Sequence, residues 1–256
     1  MKALSNIPVK ILGIIPARFG STRFLGKALV DIAGKTMIQR VYEQAKKAPS
    51  LAKVIVATDD TRIFDHVLAF GGEVVMTSSE HQSGTDRCYE ALKKTKGHFD
   101  YVINIQGDEP FIKPKQIEIL ASMLDRDIQL ATLMKKIEDT ETLFNPNTPK
   151  VIVDNNSNAI YFSRQTVPYL RGIEKTKWLD AHNYFFHVGI YAYRTDVLRK
   201  ISVLPPALLE RVECLEQLRW IANGYTIKVA ETPYLSKGID TPEDLEEVLK
   251  AIDLFE

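Results

Sequence analysis

Residues 11–29 read ILGIIPARFGSTRFLGKAL, an apolar run from Ile11 to Ile15 that opens at Pro16 into a polar loop carrying Gly20, Gly26 and the cations Arg18, Arg23 and Lys27. A short, nearly unbroken apolar run bounded by such a loop predicts a strand buried on both faces, with a ligand loop at its carboxyl end. The pattern continues outward. Helical spacing over 37–48 is followed by a strand over 54–57, a helix over 63–70, a strand over 73–76, a helix over 87–94 and a strand over 101–105. The alternation predicts a parallel sheet covered by helices on both faces. Its right-handed connections gather the loops at the carboxyl ends of the strands.

From residue 130 the rhythm changes. Strands over 130–137, 151–154, 159–163 and 185–193 are separated by polar turns such as Asn145-Pro146-Asn147, with no helix between most of them. They read as antiparallel, either an extension of the sheet or a small arm. After Leu204-Pro205-Pro206 comes a long amphipathic helix over 208–223 stopped by Gly224, then a strand over 226–230 and a closing helix over 243–254. Neither a repeat nor a low-complexity linker interrupts the chain. One α/β domain over residues 1–256, with an antiparallel insertion at about 130–194, is the economical reading.

Composition bounds the function. The 256 residues are 45% hydrophobic and 26% charged, an ordinary globular balance that excludes a disordered or fibrous chain. Lys plus Arg (33) equals Asp plus Glu (33), so no broad field attracts nucleic acid or an anionic membrane, and any anion must be met by a local site. Cys88 and Cys214 fit neither a zinc spacing nor a disulfide framework. The apolar run 11–16 is too short for a signal core or a membrane span, and a cytoplasmic protein is expected.

Several segments carry chemistry. Residues 16–29 combine Ala17, Arg18, Gly20, Ser21, Thr22 and Lys27 just before an expected helix, a composition suited to cradling phosphates; a solvated basic loop is the alternative. They are not a P-loop, because five residues separate the glycines and Ala28 follows Lys27. After the strand 101–105, Gln106-Gly107-Asp108-Glu109-Pro110 places carboxylates where open α/β sheets bind ligands, although Asp108 could simply end the strand in a turn. In Gly238-Ile239-Asp240-Thr241-Pro242, Thr241 and Pro242 read as helix initiation. Asp240 precedes the cap and is free to be a second metal carboxylate. Ser83, Gly84, Thr85 and Arg87 in HQSGTDR (residues 81–87) could read a polar base edge, or Thr85 could cap a helix with Arg87 in solvent. His187, on an aromatic strand, is by spacing alone a core histidine.

Together these segments resemble the 3-deoxy-manno-octulosonate (Kdo) cytidylyltransferase family, also called CMP-Kdo synthetases. The resemblance covers nearly the whole chain and is carried by IIPARFGSTRFLGK (14–27), VATDD (56–60), HQSGTDR (81–87), NIQGDEP (104–110), FNPN (144–147), YFSR (161–164), HVGIYAYR (187–194), ECLEQLR (213–219) and GIDTPEDL (238–245). It implies a Rossmann-like, three-layer nucleotidyltransferase fold with an antiparallel dimerisation element, Mg²⁺ dependence, and transfer of CMP from CTP to Kdo for lipopolysaccharide synthesis. Carried over residue by residue, Arg18 and Lys27 would hold the triphosphate and Asp108 and Asp240 the magnesium. The stretch Ser83 to Arg87 would face cytosine, and Gln106, Arg164, His187, Tyr191, Glu213 and Gln217 would line the sugar pocket.

The resemblance has rivals in a cytidylyltransferase for another acidic sugar, such as sialic acid or 8-amino-Kdo, and in a silent nucleotide-binding protein on the same fold. A homodimer is expected through the aromatic-rich stretch at about 130–193. The chain departs from the family at Leu25 and Ala28, where prolines are usual, and so the unliganded loop is expected to be more mobile.

Overall fold

The computed structural model describes residues 9–20, 23–235 and 237–252. In chain order the strands are β1 (Ile11–Ala17), β2 (Asp31–Ile32), β3 (Lys35–Thr36), β4 (Leu51–Thr58), β5 (Val74–Met76), β6 (Tyr101–Asn104), β7 (Leu130–Lys136), β8 (Lys150–Val153), β9 (Ala159–Ser163), β10 (Phe185–Arg194) and β11 (Ile227–Glu231). Among the described residues nine strands form one sheet, ordered β11-β7-β10-β6-β1-β4-β5, with β8 and β9 hung from β10. Strand β1 is central and parallel to both β4 and β6.

The side chains of β1 alternate between two cores. Ile11, Ile15 and Ala17 point to one face and Leu12 and Ile14 to the other, all buried. The first face is covered by α1 (Met37–Lys46), α2 (Thr61–Ala69) and, next to them, Pro114–Ser122, through Ile38, Val41, Ile63, Val67, Ile117 and Leu120. The second is covered by α3 (Gly84–Lys94), by Thr195–Ile201 and by Gln217–Ala222, through Cys88, Ala91, Val197, Leu198, Leu218 and Trp220. Helix–sheet–helix layering results. Each fully buried Ile or Leu side chain contributes on the order of 1.5–3 kcal/mol to it.

In chain order, the helices after α3 are α4 (Pro114–Ser122), α5 (Thr140–Phe144), α6 (Trp178–Ala181), α7 (Thr195–Ile201), α8 (Leu208–Glu213), α9 (Gln217–Ala222) and α10 (Pro242–Lys250). Helix α4 is not anticipated by the periodicity reading, though Pro114 in its first turn and the buried Ile117, Leu120 and Ala121 at helical spacing are its signals.

Three expectations are corrected. The loop 16–29 does not run into an α-helix: it closes in a three-residue 3-10 turn (Lys27–Leu29) and the β2–β3 hairpin, and α1 begins only at Met37. The long helix over 208–223 is two short ones, because Cys214 adopts a left-handed backbone (φ 52) that ends α8 and re-aims α9. Finally, the stretch from residue 130 extends the sheet, one of the two expected arrangements, but β7 within it does not run antiparallel to the sheet's parallel strands. It pairs antiparallel with β10 and parallel with β11, and β10 is antiparallel to β6, so β7 runs with the parallel strands. The antiparallel character belongs to β10 and the β8–β9 hairpin.

Because β10 runs against β6, its amino-terminal residues lie at the same end of the sheet as the loops that follow β1, β4, β5 and β6. That end is where ligands meet open α/β sheets. The register of β10 against β7 slips between Val188 and Tyr191. Thr132 Oγ1 donates within this bulge, 2.7 Å from Ile190 O.

Candidate active site

A cleft of about 250 Å³ opens at the carboxyl end of β1 and β6. Ala17, Arg18, Lys27, Ser83, Gly84, Arg87, Gln106 and Asp108, all anticipated from sequence, line it together with Arg23, His81 and Gly107. Gly107 is required here. A Cβ on it would lie 2.6 Å from Pro16 O, so only glycine lets the loop after β6 pass against the end of β1.

At the floor, Lys27 Nζ donates to Asp108 Oδ2 at 2.7 Å and to Asp240 Oδ1 at 3.0 Å. Burial works against the Lys27 charge, but the bonds and charges of the two carboxylates outweigh it and raise its pKa. Arg23 closes on Asp240 from outside, Nη1 to Oδ2 at 3.0 Å and Nη2 to Oδ1 at 3.0 Å. Asp240 arrives from far along the chain because Ile239 N–H donates to Asp108 O at 2.9 Å, docking the 238–240 segment on the loop after β6. Behind it, Asp244 accepts from the Asp240 and Thr241 N–H groups at 2.9 Å, while Thr241 caps α10. Helix initiation therefore explains Thr241 and Pro242, whereas the Asp240 side chain faces Lys27.

Two carboxylates converging on one cation are the donor set a hard divalent ion prefers. No cluster of three or more His, Cys, Asp or Glu suited to a metal occurs among the described residues. Mg²⁺ is commonly held by one or two carboxylates plus substrate phosphates, so the pair fits Mg²⁺ in the company of a triphosphate.

The second wall is the start of α3. Ser83, not Thr85, is the cap, its Oγ accepting from Asp86 N–H at 3.2 Å. Arg87 is not in solvent. It is buried, with Nη2 on Asp59 Oδ2 at 2.7 Å and Nη1 on Thr77 Oγ1 at 2.6 Å, so it braces the ends of β4 and β5 beneath the cleft. Thr85 is also buried and donates to Glu216 Oε2 at 2.9 Å.

The remaining predicted residues lie beyond that cleft's lining, apart from Gln106, whose Nε2 donates to Gly189 O at 2.6 Å and links it to β10. His187 meets Thr132 Oγ1 at 3.1 Å between the rings of Phe162 and Tyr191. Burial pushes its imidazole down to about 3, leaving it neutral. The Tyr191 hydroxyl and Gln217 Nε2 are buried without hydrogen-bond partners among the described residues. Arg164 and Glu213 instead form a bracket: Glu213 accepts from Ser163 Oγ at 2.8 Å and Arg164 N at 2.9 Å, and Arg164 Nε donates to Glu213 O at 2.6 Å.

Sequence reasoning missed Glu216. One oxygen holds Thr85 and the other is buried and unpartnered among the described residues, near Tyr191 and Tyr193. Burial raises its pKa against the opposing Thr85 bond. No local signal separates it from Glu213, because the break at Cys214 decides which carboxylate faces inward.

In the loop itself, Ser21 and Thr22 lie outside the described residues, and Gly20 stands in open space. Lys27 N–H donates to Phe24 O at 3.3 Å, with Gly26 at φ 70 and ψ 15. This is a type II turn with Leu25 in the position that favours proline. Leu25 is 70% exposed, so its side chain does not fill the core. Leu25→Pro is therefore expected to raise stability by about 0.4–1 kcal/mol through the unfolded chain, and to lower KM for the triphosphate that the resemblance implies more than it alters kcat. Thermal melting and steady-state kinetics check this; a lower melting midpoint with unchanged triphosphate affinity would refute it.

The cytidylyltransferase family model matches residues 12–229. The 3-deoxy-manno-octulosonate cytidylyltransferase of Cytophaga hutchinsonii is 59% identical over 238 residues, 93% of this chain and 95% of the relative. The chain belongs to the 3-deoxy-manno-octulosonate cytidylyltransferase family. The Parabacteroides distasonis member is 54% identical over 94% of this chain and 97% of its own. Among solved structures, a CMP:2-keto-3-deoxy-manno-octonic acid synthetase complexed with CTP superimposes with a TM-score of 0.88 at 43% identity, covering 96% of this chain and 99% of that one. Membership confirms the resemblance and the nucleotidyltransferase layering. In the loop that the resemblance singles out, Leu25 is exposed and Ala28 is buried.

Proposed function

We propose that the protein transfers CMP from CTP to the anomeric hydroxyl of Kdo, releasing pyrophosphate, in the cytoplasmic supply of activated sugar for lipopolysaccharide. The observation that carries this reading is Lys27 held between Asp108 and Asp240 in a cleft whose opposite wall is the 81–87 segment. Arg18, Arg23 and Lys27 supply positive charge for the triphosphate. Asp108 and Asp240 would hold Mg²⁺, which when bound supplies further screening between the triphosphate and the sugar's carboxylate.

The sugar hydroxyl oxygen forms a bond to the α-phosphorus as the bond from that phosphorus to the α–β bridging oxygen breaks; pyrophosphate leaves with the bridging oxygen, and the hydroxyl proton passes to solvent. Most of the catalytic demand is in-line positioning of two anions that repel each other. Gln106, tied to Gly189, stands where the nucleotide cleft meets β10 and would orient the acceptor. His187, Tyr191, Glu216 and Gln217 would form the sugar pocket, their neutral or unpartnered groups matched to hydroxyls. Arg164 and Glu213 would hold its walls. The reaction so drawn requires no covalent nucleophile from the protein.

Pyrophosphate release across a matrix of nucleotides and acidic sugars tests the reading. CTP with Kdo should turn over, with ATP and GTP slower by about two orders of magnitude or more because a base-reading site leaves its own polar groups unpaired on the wrong base. Equal turnover of ATP would remove the base assignment, and turnover of sialic acid but not Kdo would replace the sugar.

The enzyme should also act as a homodimer. Phe162, Trp178 and Tyr184 are buried within the subunit, so much of the aromatic content of 130–193 folds on its own core. Tyr169 (71% exposed) and Phe144 (40%) remain around Trp178 as an apolar contact patch. No helix among the described residues is long and apolar enough to cross a membrane.

A further inference from the structure

His81 stands between two clefts. It lines the nucleotide cleft beside Gln82, Ser83 and Gly84, and it also lines an outer one with Ser78, Glu90 and Lys94. Its Nε2 is hydrogen-bonded to Glu90 Oε2, which also accepts from Ser78 N–H at 2.9 Å, while Glu90 Oε1 pairs with Lys94 Nζ at 2.7 Å. Glu90, on the second turn of α3, thus grips the loop 78–81 at both ends. Burial works against its charge, but the bonds from Lys94, Ser78 and His81 prevail and hold its pKa down to about 2.

An ionised carboxylate can only accept, so His81 Nε2 must carry a proton. In the neutral ring Nδ1 is then an acceptor, and it makes no hydrogen bond among the described residues. Other side chains on this wall are engaged. Ser83 Oγ caps α3, Arg87 is tied to Asp59 and Thr77, and the exposed Gln82 turns its amide back to Glu80 O at 3.1 Å.

We propose that His81 is a specificity-determining residue that accepts a hydrogen bond from the exocyclic amine of the nucleotide base through Nδ1, with Glu90 as the positioning residue that sets its tautomer. The proposal rests on the cytidylyltransferase reading above, which puts the base against this wall. Cytosine presents an amine at ring position 4 where uracil presents a carbonyl. An acceptor fixed there pairs with the first and opposes the second. Glu90 touches no substrate and acts only through His81.

The test compares CTP with UTP in pyrophosphate release with Kdo, for the wild type, His81→Phe, Glu90→Gln and Gln82→Ala, alongside ¹⁵N spectra of the histidine rings in the intact wild-type protein. His81→Phe should lower the CTP:UTP ratio of kcat/KM by about tenfold or more, chiefly through a higher KM for CTP, because the amine loses its partner. Glu90→Gln, whose amide can donate or accept, should lower the ratio by a smaller factor. The wild-type spectrum should show a neutral ring protonated at Nε2, with an Nδ1 signal that moves on adding CTP but not UTP.

An unchanged ratio and CTP KM in His81→Phe would overturn the proposal. So would a ring protonated at Nδ1 in the CTP complex, or loss of discrimination in Gln82→Ala alone. If the wild type releases no pyrophosphate from CTP and Kdo, the assigned activity fails; the CTP-dependent Nδ1 signal still decides the role of His81.

Discussion

Asp108→Asn and Asp240→Asn should each reduce kcat/KM by about a thousandfold, on the order of 4 kcal/mol of transition-state stabilisation, while leaving the protein folded. Each substitution keeps the side-chain volume and removes one negative charge from the pair that converges on Lys27. If both carboxylates hold the same cation, losing either disables one unit. The double variant should then be little worse than either single one, far from the millionfold loss that independent action would give. Pyrophosphate release at saturating magnesium checks the cycle. Near-normal turnover of Asp240→Asn would leave that residue only its contacts with Arg23 and Lys27, and additive losses would place the two carboxylates on different tasks.

Lys27→Met should raise KM for CTP by about a hundredfold with a much smaller effect on the sugar, since one of the cations facing the triphosphate is lost from a partly buried site. A second consequence follows from the same geometry. Among the described residues, without Lys27 Asp108 keeps no cation in contact and Asp240 keeps only the exposed Arg23. The variant should therefore lose about 1–2 kcal/mol of stability in chelator, the scale of charge-assisted bonds at a half-exposed site. Magnesium should restore that loss, and raise the melting midpoint of the variant more than that of the wild type, in which the ammonium competes for the same oxygens. Equal magnesium responses in the two proteins would remove Asp108 and Asp240 as a shared metal pair. Melting curves with and without magnesium report this independently of turnover.

Much of the architecture was legible in residues read one after another. The apolar runs at β1, β4, β5 and β6, interleaved with helical spacing at α1, α2 and α3, specify a covered parallel sheet, because periodicity records which face of each element is buried. The chemical character of the site was legible in the same way: cations in the loop after β1, a carboxylate after β6, hydroxyls opening α3. Residue types near the ends of buried strands are local facts. Thr241, Pro242 and Gly224 likewise marked a helix start and stop by their own backbone preferences.

The tertiary structure alone decided which groups meet. Asp240 reaches Lys27 across 213 positions because a backbone bond from Ile239 to Asp108 O, and the buried Ile239 side chain, dock its segment there. The left-handed Cys214 breaks one amphipathic stretch into two helices, turning Glu216 toward Thr85 while Glu213 stays with Ser163 and Arg164. Arg87, indistinguishable in sequence from a solvated arginine, is buried with its partners Asp59 and Thr77, just past the ends of β4 and β5. In each case the local pattern is satisfied equally by more than one outcome. Hydrophobic spacing sets how much of an element is covered, whereas the partner of a given carboxylate or guanidinium depends on which distant segment closes against it, and that is settled only when the layers pack.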